Sequence, residues 1–330
     1  MKKILIILTA FICVFVIGCG KKNKDVIDRM KTNIESLSSY RINGELEIIN
    51  NEDIYNYDVD VSYKEPDLFR VSLKNTNNNH IQILLKNKDG VFVLTPALNK
   101  SFKFQSDWPY NNSQIYLLQT ILKDVLEDNN LVIEENNNGY EIISKVEYSN
   151  NDELVKQKIT LDKDSNIKTI EVKDKDDITK MKMTITNFNN KPNFDDNYFE
   201  VNNSMNTSVI DEEVSVSKID SIIYPMYIPD KTYLSTQNKV NIENGERVIL
   251  TFEGDNPFML VQETSVKEKE MTTIPTYGTP EIVGDTIGVV GDNSVSWSSN
   301  GIDYYVTSGS LSEKELLTVA NSVNTLPVGK

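Results

Sequence analysis

Along its first two hundred residues the chain repeatedly alternates apolar and polar side chains with a period of two. Ile42, Gly44, Leu46 and Ile48 alternate with Asn43, Glu45 and Glu47. Tyr57, Val59, Val61 and Tyr63 alternate with Asp58, Asp60 and Ser62, and Phe69, Val71 and Leu73 with Arg70, Ser72 and Lys74. Successive side chains of a strand point to opposite faces, so this pattern calls for antiparallel sheet with one buried and one wet face. More strands are expected at 81–85, 91–94, 101–104, 131–133, 140–143, 158–161, 169–173 and 180–186. Asp89-Gly90 signals a hairpin, and turns rich in Asn and Asp separate nearly all the strands. Two stretches follow the helical period instead. Residues 25–37 place Val26, Met30, Ile34 and Leu37 near one face, and 113–126 do the same with Ile115, Leu118, Leu122 and Val125.

The amino terminus has a different character. Lys2 and Lys3 precede an apolar run from Ile4 to Ile17, interrupted by Thr9 and Ala10. A basic end, an apolar middle and a small residue before the cut make residues 1–18 a signal peptide. The run is shorter than the roughly 20 apolar residues a spanning helix needs. Val16-Ile17-Gly18-Cys19 resembles the lipobox of bacterial lipoproteins, which implies cleavage between Gly18 and Cys19 and acylation of the Cys19 sulfur. A thiolate is the side chain nucleophilic enough to accept the lipid. Two acyl chains give lasting membrane attachment where one is marginal. Residues 19–24, with Lys21, Lys22 and Lys24, form a short tether, and the expected location is the extracytoplasmic face of the cell membrane. The chain has two cysteines, and Cys13 lies in the discarded segment, so no disulfide or cysteine metal site is expected.

Charge narrows the partners. There are 34 basic and 49 acidic residues, a net charge of −15. An acidic body is repelled by nucleic acid and by anionic membranes, so nucleic acid is excluded and membrane contact falls to the lipid. The length suits two domains. Residues 202–217, rich in Asn, Ser, Asp and Glu, are the expected linker between a domain at 25–201 and another at 218–330. In the second part Val248, Leu250 and Phe252 alternate, and Asn300-Gly301 leads into Ile302, Tyr304 and Val306 as a hairpin. Ser312 and Glu315 form a capping box, with Leu311 and Leu316 as its hydrophobic staple, opening a helix to about Val323. The fold class is therefore α+β.

The first part resembles the LolA/LolB lipoprotein-carrier superfamily, in which an incomplete antiparallel β-barrel is combined with helices. The resemblance rests on Tyr63-Lys64-Glu65-Pro66-Asp67-Leu68-Phe69-Arg70-Val71 and on Asp89-Gly90 through Thr95-Pro96. The strings from Gly90 to Phe102 and from Phe104 to Pro109 are similar to the sporulation and germination lipoproteins of spore-forming Firmicutes. Tyr224-Pro225-Met226-Tyr227-Ile228-Pro229 and the stretch from Tyr304 to Val323 resemble a smaller carboxy-terminal α+β domain of unknown function that often follows.

No motif for chemistry stands out. His80 is the only histidine and follows Asn77-Asn78-Asn79 in a turn, where it is expected to be solvated. Acidic pairs such as Glu134-Glu135, Asp195-Asp196 and Asp211-Glu212-Glu213 are expected at the surface. With no phosphate loop, serine elbow or metal spacing, the chain is expected to be no enzyme and to hold no cofactor or metal. The aromatic residues Phe69, Phe92, Phe102, Phe104 and Trp108 are candidates for a ligand or partner surface. An unclosed barrel offers a face that holds a partner's apolar edge or an acyl chain. The expected role is a membrane-anchored lipoprotein binding a protein partner outside the cytoplasmic membrane, in sporulation or spore germination, and the resemblance to spore lipoproteins implies, for example, a peptidoglycan-remodelling enzyme as that partner. The alternative is a lipid or lipoprotein carrier.

Overall fold

The computed structural model describes residues 24–50, 53–148, 150–206 and 218–323. The signal peptide, Gly18 and Cys19, the tether up to residue 23 and residues 207–217 of the expected linker lie outside the described residues. The fold is α+β, built on one twelve-stranded and one seven-stranded sheet.

Helix α1 covers residues 24–35. The strands β1 (Ser39–Asn50), β2 (Asp53–Lys64), β3 (Leu68–Asn75), β4 (Ile81–Asn87), β5 (Gly90–Thr95) and β6 (Lys100–Phe104) form an antiparallel meander. After helix α2 (Leu118–Glu127), a second meander runs through β7 (Val132–Asn136), β8 (Gly139–Lys145), β9 (Lys156–Asp162), β10 (Ile167–Lys173) and β11 (Thr179–Asn189). Pairing of β1 with β11 joins the two into one open sheet, whose end strands do not pair with each other. Gly44 sits where the β1–β11 register shifts, and a Cβ there would lie 2.4 Å from the Thr184 carbonyl oxygen. The closeness of the two backbones explains why a glycine interrupts the apolar row.

The inner face of this sheet is covered by Val26, Met30 and Ile34 of α1 and by Leu118, Ile121, Leu122 and Val125 of α2. The outer face of β4 and β5 is covered as well. Phe199 and Met205 pack on Ile83, Leu85, Phe92 and Leu94. Burial on both faces accounts for the unbroken apolar runs of β4 and β5, where alternation fails.

Two expectations need correction. The helix expected at 113–126 begins only at Leu118. The Ser113 amide donates to the Glu147 carbonyl at 2.8 Å, and the Ser113 hydroxyl accepts from the Glu147 amide at 2.8 Å. This reciprocal pair ties Ser113 to the chain at Glu147 and holds it out of the helix. The linker expected at 202–217 starts too early, because Val201–Asn206 is helix α3, with Met205 buried against β5.

In the second sheet, β12 (Thr232–Ile242), β13 (Gly245–Gly254) and β14 (Phe258–Thr264) are followed, after an excursion, by β16 (Thr279–Val283), β17 (Thr286–Gly291), β18 (Ser294–Ser299) and β19 (Ile302–Thr307). Pairing of β14 with β19 closes the order β12-β13-β14-β19-β18-β17-β16. Asn300 and Gly301 turn the β18–β19 hairpin with φ of 50° and 78°, both in the left-handed region that an Asn-Gly pair tolerates. Helix α4 (Glu313–Asn321) starts at the expected capping box, with Leu311 and Leu316 both buried in the core beneath it.

The excursion ties the sheets together. Strand β15 (Thr272–Thr276) leaves the second sheet and pairs in parallel with β6 at the edge of the first. Its Pro275 is tolerable because an edge strand has one unladdered side. Asn99, in the left-handed region at φ 54°, donates from its side chain to the Glu268 carbonyl at 2.7 Å and anchors the strap. Ile287 of β17 belongs to the core of the first sheet.

Candidate functional site

The five aromatic candidates do not share one surface. Phe69 and Trp108 are buried in the inner core, with ring centroids 6.2 Å apart in an edge-on contact. Phe69 also stacks at 5.0 Å on Tyr63, which meets Tyr40 at 5.2 Å. Phe92 points the other way, into the outer core beneath α3. Phe102 and Phe104 remain on the inner face and line a cleft of about 290 Å³ between the two sheets. One-residue alternation along β5 and β6 makes this division.

The far wall of the cleft belongs to the second sheet. Residues paired in register across adjacent strands share a face. Asn238, Ile249, Val261, Tyr305, Ser296 and Val289 form such a row. The neighbouring row runs Val240, Arg247, Glu263, Asp303 and Ser298. Their opposite face, carrying Val248, Leu250, Leu260 and Val306, is buried in the core with α4. The site face is therefore a half-exposed apolar strip, from Val240 and Ile249 through Val261 and Tyr305 into the cleft beside Phe102, Phe104 and Ile274. Val240 and Tyr305 are 44% and 41% exposed.

The charges along the strip are satisfied. Lys100 Nζ lies 3.0 Å from Asp303 Oδ2, while the Ser298 hydroxyl donates to Asp303 Oδ1 at 2.6 Å. Arg247 Nε lies 2.6 Å from Glu263 Oε2. The strip therefore offers apolar contact framed by paired charges, an arrangement suited to binding.

At its outer end the strip reaches β12, which ends the sheet and is exposed along almost its whole length. An edge strand presents unpaired backbone donors and acceptors, the usual template for pairing with another chain. Sequence reasoning missed both β12 and this strip. A signal was present: Val248-Ile249-Leu250 and Tyr304-Tyr305 place apolar residues on both faces of strands whose alternation otherwise implies one wet face. β12 itself, Thr-Tyr-Leu-Ser-Thr-Gln-Asn-Lys-Val-Asn-Ile, has no buried face to impose a pattern.

Elsewhere, Glu134, Glu135, Asp195 and Asp196 are exposed, and 211–213 lie outside the described residues. His80 departs from its expected solvated place. Its backbone makes the turn, donating to Asn78 Oδ1 at 2.9 Å, but Nε2 is enclosed without a partner among the described residues. Burial lowers its pKa to about 4, so the ring is neutral at pH 7. Among the described residues no group of three or more His, Cys, Asp or Glu could hold a metal, and no helix is long and apolar enough to cross a membrane.

Comparison with known proteins gives a family. A family model described as sporulation protein YdcC-like matches residues 1–199. The sporulation protein YdcC of Bacillus subtilis (strain 168) is 33% identical over 327 residues, covering 98% of this chain and 97% of that protein. Among solved structures, a chain of the Pseudomonas aeruginosa MucA/MucB complex is similar at 12% identity, covering 90% of this chain and 98% of its own, with a TM-score of 0.34. A putative outer membrane lipoprotein-sorting protein domain from Vibrio parahaemolyticus is similar at 12% identity, covering 54% and 96%, with a TM-score of 0.34. Overlaps this low carry no weight for function.

Proposed function

The chain belongs to the YdcC-like sporulation protein family, and from that membership we propose that it is a non-catalytic, lipid-anchored protein that docks a protein partner outside the cytoplasmic membrane during sporulation or germination. In this reading the chain is cut between Gly18 and Cys19, Cys19 carries the lipid, and residues 19–24 form the tether. Residues 25–206 and the part from 218 onward are its two building units, with β15 lent by the second to the first.

One observation carries the choice of a protein partner over a lipid. The inner face of the long sheet is filled by α1, α2, Tyr40, Phe69 and Trp108, while the half-exposed apolar surface lies on the strip ending at β12. An extended segment of a partner adding to β12 would gain backbone hydrogen bonds and set alternate side chains beside Asn238 and Val240, while the body of the partner would lie over Ile249, Val261 and Tyr305 on the strands behind it. The net charge of −15 favours a partner with a basic surface. A peptidoglycan-remodelling enzyme fits the resemblance to spore lipoproteins. An acyl carrier would need a dry cavity. A cleft of about 580 Å³ beside α1 is lined by Asn33, Ser36, Asn166, Thr186 and Asn187 as well as apolar residues.

The test is in-cell photo-crosslinking during sporulation, with a photoreactive residue at position 240 or 305 and a control at the still more exposed position 178. One protein adduct formed from 240 and 305, absent at 178 and lost in Cys19→Ala, supports the reading. Lipid adducts, or equal yields at all three positions, would replace it with the carrier alternative.

A further inference from the structure

A second cleft along the seam, of about 160 Å³, is chemically distinct from the docking strip and independent of it. Part of its wall is apolar, supplied by Ile48, Leu84, Ile282, Ile287 and Leu317 from both sheets and α4, and the rest is polar. The carboxylate inside it is Glu281, with the exposed Glu153 at the rim. Glu281 Oε1 accepts from Asn112 Nδ2 at 2.7 Å, Asn150 Nδ2 at 3.4 Å and the Thr279 hydroxyl at 3.4 Å. All three donors converge on that one oxygen, and no donor among the described residues reaches Oε2. The cleft also holds the Tyr148 hydroxyl, which is enclosed without a hydrogen-bond partner among the described residues.

The remaining polar lining is rich in acceptors. Asn150 spends a donor on Glu281, so its carbonyl oxygen remains to accept, and Gln114 Oε1 takes only the Tyr116 hydroxyl at 2.8 Å. An amide oxygen has a second lone pair, and a tyrosine oxygen accepts as well as donates. An enclosed phenol without a partner is costly unless something fills the space beside it, and the Glu281 carboxylate lines that same space. The group that suits the acceptors of Glu281, Tyr148, Asn150 and Gln114 beside an apolar wall is a cation with several N–H donors on an alkyl stem. The cleft lies below the roughly 300–1,000 Å³ of drug-sized pockets, which limits the occupant to a few heavy atoms or one side chain.

We propose that the Glu281 cleft binds a primary ammonium group on a short alkyl chain, the chemistry of a free alkylamine or of a lysine side chain. The ammonium donates to Glu281 Oε2 and Tyr148 Oη, and the stem lies against Ile282, Ile287 and Leu317.

Binding requires the ionised carboxylate, and burial raises the Glu281 pKa to about 7. The charged or titratable groups around it are Glu313 of α4, Tyr116, Tyr148 with Asp124 behind it, Glu153 at the rim, and Lys180, which is 3.5 Å from Asp174. Lowering the pH from 8 to 5.5 leaves about one Glu281 in thirty ionised, so affinity falls roughly thirtyfold.

The test is the thermal midpoint of the full soluble domain against n-butylammonium chloride at constant ionic strength. Saturable stabilisation is expected at pH 8, weakened about thirtyfold at pH 5.5 and lost in Glu281→Gln. Tyr148→Phe, which removes only the phenol oxygen, should weaken it several-fold. Butyltrimethylammonium, with equal charge and no N–H donor, should have no effect. If Nα-acetyl-lysine methylamide also binds, the cleft accepts a lysine side chain of a protein; if only butylammonium does, its occupant is a free amine. No saturable effect of butylammonium at pH 8, an equal effect of butyltrimethylammonium, or an effect unchanged in Glu281→Gln would overturn the assignment.

Discussion

Strands β5 and β12 stand at opposite extremes of burial. In Gly90–Thr95 every residue after the first is buried, on one side beneath the inner core and on the other beneath α3. In Thr232–Ile242 nearly every residue is exposed, although the strand is almost twice as long. A strand sandwiched on both faces is where burial accumulates stability, since each large apolar side chain removed from water contributes about 1.5–3 kcal/mol. A bare edge strand is held by a single ladder and leaves the other side of its backbone open for pairing. The molecule thus separates the region that holds the fold from an edge left open for pairing.

The largest effect expected from that separation is in the core. Phe69 is fully buried among Tyr63, Trp108 and Tyr110. Phe69→Ala should cost about 3–5 kcal/mol in urea unfolding. A loss under about 1 kcal/mol would mean that the inner face is loosely packed and the contrast with β12 is false.

The seam comes next, through pH. Glu281 keeps its proton up to about pH 7 in the folded chain, well above its ordinary value of 4.5. The folded state therefore binds more protons than the unfolded state between those values. The stability contributed by the neutral form is complete below about pH 4.5 and is lost as pH rises to 7. The swing is roughly 3 kcal/mol. Asp285 is shifted in the same direction by burial. His80 works in the opposite sense. Its lowered pKa of about 4 means that stability is lost as pH falls from about 6.5 towards 4. Subtracting the unfolding curve of Glu281→Gln from that of the parent isolates the Glu281 contribution, which should slope downward from pH 4.5 to 7 and flatten above.

A smaller effect tests whether the sheets act as one body. Gln82 of β4 donates to the Ile287 carbonyl at 3.0 Å and accepts from the Ile287 amide at 2.6 Å and the Thr286 hydroxyl at 2.7 Å. Gln82→Ala strands buried groups on β17 and should cost about 2 kcal/mol, with one cooperative transition retained. Two separate transitions would show that β15 and this clamp do not couple the halves.

Much of this was legible from the sequence, in proportion to how strongly burial writes itself into a strand. β1, β2 and β3 have one clear buried face and could be placed within a few residues. The capping box at Ser312 and the Asn300-Gly301 turn are local chemistry and need no tertiary context. β12, β15, β16 and β17 were not foreseen, because Tyr233 to Val240 bury nothing and Thr272–Thr276 is a strand only through its pairing with β6. Phe102 and Phe104 were identifiable as candidates, but not their separation from Phe92, which depends on which strand face looks inward. Glu281 lay beyond reach, since Asn112, Asn150 and Thr279 meet it only after the chain has folded.

The smallest stability change should accompany the largest change in function. Val240→Asp and Tyr305→Asp replace half-exposed side chains and should each shift unfolding by no more than about 0.5 kcal/mol. The most direct measurement is therefore to supply the double variant as the only copy in sporulating cells, scoring spore formation and germination beside its steady-state protein level. The account predicts a normal level of protein with the same defect as a strain lacking the gene. Wild-type behaviour at a wild-type level, in a background where the deletion does show a defect, would contradict the docking strip.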